Sequence, residues 1–110
     1  MPGQFLAEFE LYVMLAIARL EADAYGASIR REIESRTGRP VSVGALYATL
    51  ARLGDKGLLR FSVSEPEPTR GGRSRKQCAL TPAGVSTLQH STEMLGRMMD
   101  GVAVVSRESQ

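Results

Sequence analysis

Between Glu8 and Leu20 the chain is apolar nearly all the way round a helical wheel: Phe9, Leu11, Tyr12, Val13, Met14, Leu15, Ile17 and Leu20 leave no polar face of helical width. That pattern predicts a first helix buried on several sides, part of it covered by a partner subunit. A second helix is predicted from Asp23, a capping residue, to Gly38. Its inner stripe is Tyr25, Ile29 and Ile33, four residues apart, and Arg30, Arg31, Glu32 and Glu34 are expected to face water. Gly38-Arg39-Pro40 breaks the chain, because proline disfavours a helical residue before it. A third helix is predicted from Ser42 to Lys56, with Gly57 just past its end and Val43, Leu46, Leu50 and Leu53 inside. Opposite them lie Gly44, Ala45, Ala48 and Arg52, flanked by Tyr47 and Thr49. A helix meant for water alone is usually lined with Glu and Lys. This low-profile face instead suits close approach to another surface.

Period-two alternation follows. Leu59, Phe61 and Val63 share one face of a strand expected over Leu58 to Ser64, and a second strand is expected over Arg75 to Leu80. The loop between them carries "TRGGRSRKQ", in which Gly71-Gly72 reads as a tight tip among Arg70, Arg73, Arg75 and Lys76. Thr81-Pro82 then caps and opens a last helix, expected over residues 82–106. Leu88, Leu95, Met98, Val102 and Val105 form a heptad-like seam along it, interrupted by His90, Ser91 and Thr92. Such a helix, following a complete small fold, needs a surface to pack on, and a second copy of the chain is the simplest candidate. Residues 107–110 are expected to be a disordered tail. The predicted fold is mainly α with a small β-hairpin wing (α+β): a winged helix-turn-helix over residues 1–81, then a dimerisation helix.

Composition sharpens this picture in three places. A chain of 110 residues with 5% aromatics and no tryptophan must build one modest core from Leu, Ile, Val, Ala and Met. Its one cysteine, Cys78, excludes an intrachain disulfide, and its longest apolar run, Leu11 to Ala18, is too short to span a bilayer. A cytoplasmic protein without membrane contact is expected. The net charge of +2 is unevenly spread: residues 1–35 sum to −3, residues 36–92 to +6 and residues 93–110 to −1. A basic middle between acidic ends is the footprint of a nucleic-acid contact.

No paired carboxylates, nucleophile–base pair or phosphate-cradling glycine motif suggests an enzyme, and no cofactor or metal is expected. Cys78 reads as a small buried hydrophobe and His90 as an exposed polar residue. Met94, Met98 and Met99 read as dimer core, although methionines also suit an adaptable small-molecule pocket between subunits. A helical protein-interaction module is the alternative function. It accounts for the seam but leaves the basic middle unexplained. RNA binding is weaker, because one arginine-glycine tract lacks repetition and stacking aromatics.

The segments "FELYVMLAIARL", "AYGASIRREIESRTGRPVSVGALYATLARLGDKGLL" and "RGGRSRKQCALTPAG" together resemble the PadR family of bacterial transcriptional regulators, in its compact branch with one short C-terminal helix. The resemblance covers about residues 5–84. It implies a homodimeric, sequence-specific duplex-DNA-binding regulator, commonly a repressor, often released by a small-molecule effector. Ser42, Gly44, Ala45, Tyr47, Ala48, Thr49 and Arg52 of the third helix, with Arg70, Gly71, Gly72, Arg73, Arg75 and Lys76 of the wing, are then the expected DNA-binding residues. Leu11, Met14, Leu15, Leu88, Leu95, Met98, Val102 and Val105 are the expected dimer interface. Two departures stand out. Gln77 and Cys78 replace the aromatics many members carry in the second wing strand, which predicts looser wing packing, and Ala48 follows Tyr47 where many relatives have proline.

Overall fold

The structure is a computed structural model, and it describes residues 5–63 and 75–105. Four helices and one antiparallel hairpin follow in the order α1 (Glu8–Leu20), α2 (Gly26–Thr37), α3 (Val43–Asp55), β1 (Leu59–Val63), β2 (Lys76–Leu80) and α4 (Pro82–Met99). Short 3-10 turns at Glu21–Asp23 and Ala103–Val105 complete the described chain. The fold is mainly α with a two-stranded wing, as the periodicity predicts. The wing tip lies outside the described residues, with Arg70, Gly71, Gly72 and Arg73, and so does the tail, residues 107–110.

Met14, Ile17, Ile29, Leu46, Leu53 and Leu58 are fully buried and form the centre of the core, where α1, α2 and α3 meet the hairpin. Burying side chains of this size stabilises the fold by roughly 1.5–3 kcal/mol each. The hairpin pairs Leu59 with Leu80, Phe61 with Cys78 and Val63 with Lys76. Cys78 sits inside, and its N–H donates to the Ala24 carbonyl at 2.8 Å, while the Gln77 side-chain amide donates to the Ala22 carbonyl at 2.9 Å. Those bonds fasten β2 to the entrance of α2. Of the two, only the Gln77 bond comes from the side chain that stands where many relatives carry an aromatic.

Two helix limits and one stripe position depart from expectation. Asp23 belongs to a 3-10 turn and does not cap α2; Tyr25 does so in extended conformation, its N–H held by Ser28 Oγ at 2.9 Å. The serine side chain three residues into the helix supplies the acceptor that Asp23 was expected to offer. Val43 is half exposed, not part of the inner stripe, because the first turn of α3 projects beyond the core. α4 ends at Met99, where Asp100 turns extended and Gly101 takes φ 78°. Val102 and Val105 therefore follow the helix rather than continue its seam.

The first two turns of α4 are anchored tightly. Thr81 Oγ1 accepts the Gly84 N–H at 2.9 Å, and a Cβ on Gly84 would lie 2.1 Å from the Leu58 carbonyl oxygen. Only glycine lets the helix backbone approach the start of β1 this closely. Thr87 and Leu88 are also buried, so the first half of α4 is part of the subunit's own core. Among the described residues, no helix is long and apolar enough to cross a membrane.

Candidate nucleic-acid interface

The α2–α3 turn is fixed from both sides at one residue. Arg30 Nε donates to the Val41 carbonyl at 2.7 Å, and Glu34 Oε2 accepts the Val41 N–H at 2.8 Å. Arg30 and Glu34 thus do more than face water: they satisfy both polar groups of Val41, whose side chain is buried. Ser42 then caps α3, its Oγ accepting the Ala45 N–H at 3.1 Å. The entry angle of α3 is set by these bonds, not by the turn alone.

The exposed side of α3 carries Ser42, Val43, Gly44, Ala45, Tyr47, Ala48, Ala51 and Arg52. Apart from Val43, Tyr47 and Arg52, these side chains are small, so another body can come close to the helix backbone. Tyr47 is 50% exposed, and a Cβ on Gly26 would lie 2.2 Å from its hydroxyl oxygen. The ring therefore rests against the start of α2, and the absence of a side chain at Gly26 makes the room. Thr49 departs from the expected surface. It is 3% exposed, because position 49 turns inward beside Leu46, Leu50 and Leu53.

Arg52 reaches outward only in part. Its Nε donates to Glu10 Oε2 at 3.1 Å and its Nη2 to Thr49 Oγ1 at 3.2 Å. The Lys56 ammonium meets the same Glu10 oxygen at 3.1 Å, and the other Glu10 oxygen accepts the Ala7 N–H at 2.9 Å. The Glu10 side chain is only 5% exposed. Burial pushes its carboxyl pKa up, but the hydrogen bonds from Ala7, Arg52 and Lys56 outweigh that and hold it below the usual carboxylate range. Sequence reasoning passed over Glu10; the available signal was an acid in the first turn of an otherwise apolar helix.

At the base of the wing, the Arg75 guanidinium lies over the Tyr25 ring at 5.1 Å and the Lys76 ammonium over the Phe61 ring at 4.8 Å. Both side chains are exposed and each makes a cation–π contact with an aromatic ring of the fold. Burial pushes the Cys78 thiol pKa up, partly offset by the nearby Lys76 charge. A protonated, enclosed thiol is a poor nucleophile.

The residues expected to meet a second copy divide into two groups. Met14 and Leu88 are buried within the subunit, because α1 turns Met14 toward α2 and α3 and the first half of α4 packs down on the fold. Leu15, Leu95, Met98, Val102 and Val105 are exposed, Met98 at 77%, and Leu11 is half-buried. Met99, read from the sequence as dimer core, is exposed there too, and Val104 adds to that surface without having been anticipated.

The transcriptional regulator PadR-like family model matches residues 14–90. Among solved structures, RosR of H. salinarum shares 29% identity over 87% of this chain and 79% of its own, with a TM-score of 0.68. A PadR-like transcription factor from Bacteroides fragilis shares 26% identity over 89% of both chains, with a TM-score of 0.70. F93 from STIV, a winged-helix DNA-binding protein, shares the fold at 18% identity, covering 89% of this chain and 98% of its own with a TM-score of 0.70. No curated protein sequence matches the chain.

Proposed function

The chain belongs to the PadR-like family of transcriptional regulators, and from that premise we propose that it is a homodimeric, sequence-specific duplex-DNA-binding repressor. The observation that carries this reading is the exposed side of α3, where Gly44, Ala45, Ala48 and Ala51 leave Val43 and Tyr47 as the only large apolar side chains among the exposed residues of the helix. A helix enters the major groove only if its outer face is slim enough for base edges to be reached. Arg75 and Lys76 at the base of the wing serve as backbone anchors, a role that Arg70, Gly71, Gly72 and Arg73 of the same sequence stretch share. Ser42 and Ala45, at the start of α3, lie where the helix N-terminus favours a phosphate.

Dimerisation is supported by the exposed apolar side chains of α4 and Leu15 of α1, which one subunit leaves in water. Two copies place two recognition helices on one duplex, and half-site spacing follows from the dimer. Release by a small-molecule effector is supported by a groove of about 370 Å³ lined by Phe9, Tyr12, Ile33, Pro40, Val41 and Ala45, among others. That volume suits a small ligand, and the groove adjoins the turn that sets the angle of α3. The protein acts in the cytoplasm, where the chromosome is.

A gel shift on duplex DNA at several salt concentrations tests the reading. A dimer that neutralises several phosphates gives a log–log slope of about −0.9 per contact. Absence of binding to any genomic fragment at low salt would return the chain to the protein-interaction reading.

A further inference from the structure

We propose that Glu10 is a positioning residue for DNA recognition that sets specificity through its charge, a proposal that rests on the reading of the chain as a duplex-binding regulator. Arg52 and Lys56 both lie near the exit end of α3, 42 and 46 residues away from Glu10 in sequence. Both converge on one oxygen of one buried carboxylate, at 3.1 Å each. A carboxylate oxygen between a guanidinium and an ammonium is the arrangement a DNA phosphate would make with the same two groups. Glu10 therefore supplies from inside the fold the anion that a backbone phosphate would offer from outside, and cancels one of the two positive charges at that end of the helix.

Two consequences follow for binding. Non-specific affinity rests on the number of phosphates neutralised, so one charge fewer per subunit weakens binding to random sequence. Arg52 is also held through Nε to Glu10 and through Nη2 to Thr49, which fixes the plane of its guanidinium. A guanidinium held in one plane discriminates between partners better than a mobile one. The carboxylate's other oxygen bonds Ala7 N–H, so the same side chain joins the start of α1 to the end of α3.

A structural role alone would need only an acceptor for Ala7, which glutamine supplies. The test is therefore Glu10→Gln, compared with the unmodified protein on specific and random duplexes across a salt series. The expected result is a slope steeper by about 0.9 per subunit, tighter binding to random DNA, and a specific-to-random ratio reduced several-fold. Glu10→Gln combined with Arg52→Gln removes one carboxylate and one cation together and returns the slope to its original value. An unchanged slope and an unchanged ratio in folded Glu10→Gln overturn the proposal while leaving duplex binding intact. A failure of the unmodified protein to bind duplex DNA overturns the functional reading itself, and this proposal with it. A second measurement needs no variant: the Arg52 Nε–H signal in a nitrogen-15 spectrum should be slow to exchange and unmoved by random duplex. A large shift on adding random DNA would show that Glu10 does not withhold the group from phosphates.

Discussion

The outer face of α3 and the outer half of α4 are both left uncovered by the subunit, yet they are built of opposite materials. α3 shows Gly44, Ala45, Ala48 and Ala51 beside one valine and one tyrosine, and its far end is tied back to α1 through Glu10. α4 shows Leu95, Met98 and Met99, continued past its end by Val102, Val104 and Val105. Small side chains forfeit little by standing in water, whereas large apolar ones forfeit about 25 cal/mol for each Å² left exposed. The α3 face is therefore shaped for a partner that must come close. The α4 face is shaped for a partner that must exclude water. Within α4 itself the division is sharp, since Gly84 packs against the Leu58 carbonyl just before β1 and Leu88 is buried in the subunit's core.

The comparison is broken most completely by putting charge on the α4 face. Leu95→Glu with Val102→Glu should convert a dimer to monomer or aggregate in light scattering, and lower operator affinity by about a hundredfold or more as the two half-sites lose their linkage. A well-folded monomer for the unmodified protein would refute the assignment of that face.

Gly84→Ala tests the locked half of the same helix. The new methyl would have to displace the Leu58 carbonyl, and overpacking of this kind costs roughly 1–3 kcal/mol. Thermal unfolding should fall by about 4–8 °C for each kcal/mol lost. An unchanged midpoint would mean that α4 is held elsewhere.

Ala48→Glu sharpens the α3 side. A carboxylate on the slim face should weaken duplex binding by about tenfold or more through repulsion from phosphates, while mass in solution and helix content stay the same. If mass changes instead, the two surfaces are not independent.

The smallest effect concerns the tie between α3 and α1. Because the Glu10 pKa is lowered in the folded chain, its charge stabilises the fold above the unfolded carboxyl pKa, about 4.3. That contribution is lost as pH falls through the lower folded value. Denaturant midpoints of Glu10→Gln and the unmodified protein should differ at pH 7 and converge near the acid limit. A constant difference at all pH values would assign the effect to packing rather than charge.

Sequence alone determined the element order, the limits of α1, the Thr81 cap and the pairing of the two strands. Each of these depends on local signals: apolar period, a capping oxygen, a proline at the first helical position, alternation along a strand. The slim face of α3 was legible for the same reason, since side-chain size is written directly in Gly44, Ala45 and Ala48. Tertiary structure decided what periodicity could not. Thr49 and Met14 lie on faces that a helical wheel leaves ambiguous, and packing against other elements turned both inward. Arg30, Glu34 and Glu10 look on a wheel like ordinary charged positions. Their partners are Val41, seven and eleven residues away, and Arg52 and Lys56, more than forty away. A hydrogen bond between distant residues depends on where the fold brings the chain, and that placement is a property of the whole core, not of any segment read alone.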